Sequence, residues 1–149
     1  MLAGVLIAVF GTTLFRKLTG GALARIGAFL VLLFGVGMVV VGFFSCEQNC
    51  MNRGSVEGAL HDNISAAMFL AAIIGLILIG TSLRRTSATR MHGSYALLSG
   101  IGMAVALALM IQSFESQQLT GLWQRLYLAI LFVWMALTGF RLFHSRARS

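Results

Sequence analysis

Charge is what this chain has least of. Only 10% of its 149 residues are charged, none is proline, and it carries two cysteines, three histidines and four acids against eleven basic residues. A soluble domain normally holds about a quarter charged residues. With 58% hydrophobic residues and a mean hydropathy of +0.91, a soluble globular class is excluded. The scarcity of histidine disfavours a zinc hydrolase, because catalytic zinc needs three protein ligands and one histidine is available on the relevant face. No nucleophile–base set stands out either. The amino-terminal run "MLAGVLIAVFGTTLF" has no basic start, and Arg16-Lys17 follows it instead of a cleavage site, so a signal peptide is a poor reading.

What the chain has instead is long oily runs. Ile26–Ser45, Asn63–Leu83 and Gly93–Phe114 are free of charge, each long enough for a membrane span of roughly 20 residues. Backbone groups in lipid find no water, so such segments must be helical. Leu126–Phe140 is charge-free but covers only about 22 Å at ~1.5 Å per residue. A ~30 Å core draws the start of that span back to Gln118 and places Arg125 below the membrane boundary. The first segment is short as well. The expectation is an all-α polytopic transmembrane helix bundle in one domain, residues 1–149, with five spans at about 1–15, 24–45, 62–83, 93–114 and 118–141.

Basic residues cluster in alternate connections: Arg16, Lys17 and Arg25; Arg84, Arg85 and Arg90; Arg141, Arg146 and Arg148. The positive-inside rule makes these cytoplasmic, with the N-terminus outside and the C-terminus inside. Every acid (Glu47, Glu57, Asp62 and Glu115) then falls on the outer face, and Arg53 is the basic loop residue placed there. The net charge of +7 is thereby topology signal, aided by anionic headgroups, and needs no nucleic-acid partner.

The outer placement frames the stretch "FFSCEQNCMNRGSVEGALHDNISAAMF". Cys46 and Cys50 would lie in an oxidising compartment, where a small disulfide ring is favoured over free thiols or a metal pair short of two ligands. Glu57, His61 and Ser65 are spaced i, i+4, i+8 and share a face if the third span starts early, while Asp62 points about 100° away. The functional reading is a proton-handling or headgroup-binding group in an outer cavity. The plainer one, a polar collar at the membrane boundary, is preferred.

In "GLWQRLYLAILFVWMALTGFRLF", Arg125 either snorkels outward or turns inward to Glu115, Asp62 or Glu57. The inward pairing is the sharper expectation, with Gln124 beside it in an outer polar cluster. Small residues offer packing rows: Ala67, Ala71 and Gly75; Gly100, Ala104 and Ala108; and the heptad-spaced pairs Gly4/Gly11 and Gly35/Gly42. Trp123, Tyr127 and Tyr95 suit interfacial belts, whereas Trp134 lies deeper.

"GFFSCEQNC", "LHDNISA" and the closing "GLWQRLYLAILFVWMALTGFRL" together resemble the bacterial membrane proteins called domain of unknown function 998. Cys46, Cys50, Leu60, His61, Asp62, Gly121, Gln124, Arg125 and Trp134 match the family pattern, while Ser45 replaces its usual proline and Asn49 its usual glycine. The resemblance covers the chain from the second span onward. It implies a bacterial inner (cytoplasmic) membrane and puts a single outer site for His61, Asp62 and Arg125 on an equal footing with the polar collar. It also implies six spans, so this chain would either begin inside a longer frame or leave a groove that a partner fills. No activity and no cofactor carry over.

Two function classes follow. The first is a non-catalytic accessory subunit or lipid-associated scaffold, with membrane lipids and a larger membrane complex or a homo-oligomer as partners. The second is an outer-face enzyme or transporter for a lipid or small metabolite, using His61 and Arg125. The first is preferred.

Overall fold

The computed structural model describes residues 1–44, 55–116 and 119–146, the last two residues of each of the last two helices by backbone alone. The described residues form five α-helices: α1 (Leu2–Lys17), α2 (Gly21–Val41), α3 (Val56–Leu83), α4 (Arg90–Ser116) and α5 (Thr120–Arg146), with one 3₁₀ turn at Ser87–Thr89 before α4. The protein is all-helical across them. Four helices, α2 to α5, contain stretches long and apolar enough to cross a membrane. The 16-residue α1 is shorter.

The helices are apolar on both faces. Ile7, Val31, Phe34, Leu76, Met103 and Leu131 are fully buried, yet Leu6, Val9, Phe29, Leu98, Val105 and Val133 face outward. A helix on a soluble core would carry polar residues there; an apolar exterior is what a hydrocarbon solvent requires.

Successive helices run antiparallel and pack as neighbours in chain order. Small residues set how close they come. A Cβ on Gly11 of α1 would stand 2.6 Å from the Leu32 backbone of α2, and Gly4 meets the Gly35 carbonyl at 2.8 Å. Gly27 of α2 and Gly75 of α3 face each other, each Cβ colliding with the other's carbonyl at 2.6 and 2.8 Å. Gly80 of α3 and Gly93 of α4 repeat the arrangement, both at 2.8 Å. Lipid tails are as apolar as leucine, so helices in a bilayer gain association from such van der Waals approach and not from hiding oil. Gly21 opens α2 at φ +73, a left-handed conformation that side chains disfavour, and so allows the sharp α1–α2 turn.

The last helix attaches differently. Its inner stripe is Tyr127, Leu131, Trp134 and Thr138, spaced i, i+4, i+7, i+11 and almost entirely buried. Trp134 meets Phe10 of α1 edge-on at 5.8 Å. Tyr127 stands edge-on to Phe69 of α3 at 4.6 Å and tilted to Phe34 of α2 at 6.5 Å. The expected interfacial place for Tyr127 is therefore corrected: it is a core residue, 1% exposed, because its hydroxyl finds an acceptor inside the bundle.

Candidate functional site

Antiparallel packing brings the start of α1, the end of α2, the start of α3, the end of α4 and the start of α5 to one end of the bundle. Ser55 caps α3 by accepting the Gly58 amide at 3.0 Å, and Glu57 in the first turn complements the helix dipole. Because α3 begins at Val56, Glu57, His61 and Ser65 lie on one continuous helix at i, i+4, i+8. Glu57 is exposed, while His61, Asp62 and Ser65 are half-buried.

His61 donates through Nδ1 to the Phe44 carbonyl at 3.0 Å, which ties the start of α3 to the exit of α2. That carbonyl lies just beyond the last turn of α2, where a backbone acceptor lacks a helical donor. Across the bundle, Ser113 Oγ lies 2.7 Å from the Met110 carbonyl and 3.0 Å from Thr120 Oγ1, and Thr120 donates to the Ser113 carbonyl at 3.2 Å. These contacts fasten the start of α5 to the end of α4.

Gln124 and Arg125 are exposed on α5, at the same end. Among the described residues no hydrogen bond or ion pair joins Arg125 to His61 or Asp62. The physical reason is angular. At 100° per residue Arg125 lies about 200° from Tyr127 and so opposite the buried stripe. The side chain of Glu115 and both Cys46 and Cys50 lie outside the described residues. Of the packing rows, Ala71, Gly75 and Gly100 are buried and Ala104 half-buried, whereas Ala67 and Ala108 are exposed. Gly75 meets α2, and Gly100 meets Ile77 of α3 at 3.0 Å.

The opposite end carries polar contacts that sequence reasoning passed over. Thr138 Oγ1 and His92 Nε2 are hydrogen-bonded at 3.2 Å, and Arg141 donates to the Ala88 carbonyl at 3.0 Å. Thr89 donates to the Leu83 carbonyl at 2.6 Å, and Ser82 donates to the Gly20 carbonyl. The signal was Thr138 itself, the polar member of an otherwise apolar buried stripe. In the middle of that stripe, Trp134 Nε1 is buried without a hydrogen-bond partner among the described residues. Among those residues no group of three or more histidine, cysteine or acidic side chains could hold a metal ion.

Comparison with curated proteins and with solved structures returns no match. A family model does match, described as protein of unknown function (DUF998), over residues 1–141. It takes in α1 as well as the motif-bearing segments from which the likeness was first read. The chain belongs to the DUF998 family.

Proposed function

We propose that this chain is a non-catalytic integral protein of the bacterial inner membrane, a lipid-associated scaffold or accessory subunit. In this reading α1 is a fifth span, the N-terminus is outside and the C-terminus cytoplasmic. Cys46 and Cys50 form a disulfide in the outer connection, and Glu57, His61, Asp62, Glu115, Gln124 and Arg125 make up a polar collar at that face.

The observation that carries the reading is the use to which the polar side chains are put. His61 holds α2 to α3, Tyr127 holds α5 to α3, and His92 meets Thr138 across α4 and α5. A histidine donating to a main-chain carbonyl acts as a strap, and the outward Arg125 stands apart from it. That separation disfavours the alternative of an outer-face enzyme or transporter using both.

Topology is the first test. Single cysteines replacing Ser55 and Ser116, in a background without the native pair, should label from outside intact cells, and those replacing Ser87 and Ser145 should not. Labelling of Ser87→Cys from outside would reverse the orientation. Purification from native membranes then tests the role: a stoichiometric larger membrane protein or retained phospholipid is expected, and a chain that emerges free of both would overturn it.

A further inference from the structure

The bundle is not sealed all round. Between its first and last helices an open groove of about 470 Å³ runs along the surface, lined by Leu6, Ile7 and Phe10 of α1 and Phe132, Met135 and Ala136 of α5, with Ala3 at its upper edge. No glycine draws these two helices together as glycines do along the other seams. The nearest approach of that kind is Gly139, whose Cβ would meet Phe10 at an ordinary 3.8 Å.

A cation stands beyond one end of the groove, in line with its α5 wall. Arg125, Ala129, Phe132 and Ala136 fall at i, i+4, i+7 and i+11 on α5, and all four are exposed. In angle, Arg125 lies between Phe132 and Ala136, and along the axis it sits roughly 10 Å nearer the end of the bundle. Side chains on a helix lean toward its N-terminus, so the guanidinium is held at that end, and a lipid tail below it, not the side chain, would span the distance down to the groove. An apolar trough with a cation beyond one end is complementary to one kind of molecule, an anionic head on a hydrocarbon tail.

We propose that this groove holds one acyl chain of a membrane phospholipid whose phosphate is gripped by Arg125. The guanidinium fork matches a phosphate bidentately and needs no partner from the protein. A second copy of the chain fits less well. A two-fold contact through this groove would set the same patch against itself and bring two Arg125 side chains toward one another. The proposal rests on the lipid-embedded reading above and adds the site and the chemical class of its ligand.

The test uses the full chain in detergent, with native mass spectrometry to count bound lipid and thermal unfolding to follow its effect. Phosphatidylglycerol should bind as one tightly held copy and raise the unfolding temperature. Diacylglycerol, which keeps the tails and lacks the phosphate, should bind roughly tenfold more weakly, the loss of a charge-assisted contact. Arg125→Gln should abolish that difference. Ala136→Phe, at an exposed position where it can fill the trough without entering the core, should weaken both lipids. Equal binding of the two lipids by the wild-type chain, or retention indifferent to both variants, overturns the proposal. Quantitative cross-linking between copies through Ala136→Cys in native membranes also overturns it, since a second copy would then cover the groove. Failure of the lipid-embedded reading itself would show separately, as cysteines at opposite helix ends labelling from the same side of the membrane.

Discussion

The seams among α1, α2, α3 and α4 and the attachment of α5 solve one problem in two ways. Along the first, backbone lies against backbone: Gly27 on Gly75, Gly80 on Gly93, Gly4 on Gly35. Along the second, α5 offers large side chains, and its own glycines face open space or distant contacts. In a solvent that gives apolar surfaces no reason to hide, both can work. Close approach multiplies dispersion contacts, each worth only ~0.1–0.2 kcal/mol. Aromatic edges and buried hydrogen bonds concentrate the attraction in a few residues. The two differ in what damages them. A glycine seam should fail when volume is added, and an aromatic attachment when a group is taken away.

The largest effect is expected where added volume meets only backbone of the facing helix. In Gly80→Val the new Cβ alone would lie 2.7 Å from the Leu97 nitrogen and 2.8 Å from the Gly93 carbonyl oxygen, neither of which can rotate aside. The α3–α4 pair must separate along its length. We expect a loss of about 3 kcal/mol, at the upper end of overpacking costs, read as a lowered unfolding temperature in detergent. A variant as stable as the parent would mean that this seam contributes no tightness to the bundle.

Removing one group tests the other side of the contrast. Tyr127→Phe keeps the ring against Phe69 and Phe34 and deletes the hydroxyl that donates to the Phe69 carbonyl at 2.7 Å. That carbonyl sits inside α3 and keeps its helical donor, so no acceptor is stranded. The expected cost is about 0.6 kcal/mol, the mean for interhelical hydrogen bonds in membranes. A loss several times larger would make the hydroxyl, and not the ring, the anchor of α5.

Much of this contrast was legible in the sequence, and its limits have physical causes. The helical class and the apolar runs follow from composition alone, because lipid allows few structures. The heptad pairs Gly4/Gly11 and Gly35/Gly42 do lie along the α1–α2 seam, where Gly42 meets Met1. The reciprocal contacts Gly27–Gly75 and Gly80–Gly93 were not legible, since each joins glycines on different helices and depends on axial register. Tyr127 was misjudged for a related reason. A tyrosine near the end of an apolar run resembles an interfacial anchor until the facing carbonyl is known. Arg125 is exposed on α5, and an argument from depth alone says nothing of angle; the side chain of Glu115, one of the acids that argument favours as its partner, lies outside the described residues. The i+7 relation to Phe132 and the i+11 relation to Ala136 carry that angle, and they can be counted in the sequence.

The smallest expected effect sharpens the comparison most, because the glycines of α5 should be ordinary residues. A Cβ on Gly121 would meet nothing within 4 Å, and one on Gly139 only the edge of Phe10 at 3.8 Å. Gly121 lies in the first turn of α5 and Gly139 in its interior, where glycine is intrinsically poorer than alanine by up to about 1 kcal/mol in water. For Gly139 the gain in lipid should be smaller, since a backbone already held by its own hydrogen bonds has little freedom left to lose. Gly121→Ala and Gly139→Ala should therefore stay within about 0.5 kcal/mol of the parent. The matched control is Gly75→Ala, the same added methyl placed 2.8 Å from the Gly27 carbonyl. It should lower the unfolding temperature clearly while the α5 pair does not. If instead Gly121→Ala or Gly139→Ala proved as damaging as Gly75→Ala, α5 would carry a close seam of its own. The distinction between a glycine-packed set of four helices and an aromatic-fastened fifth would then collapse.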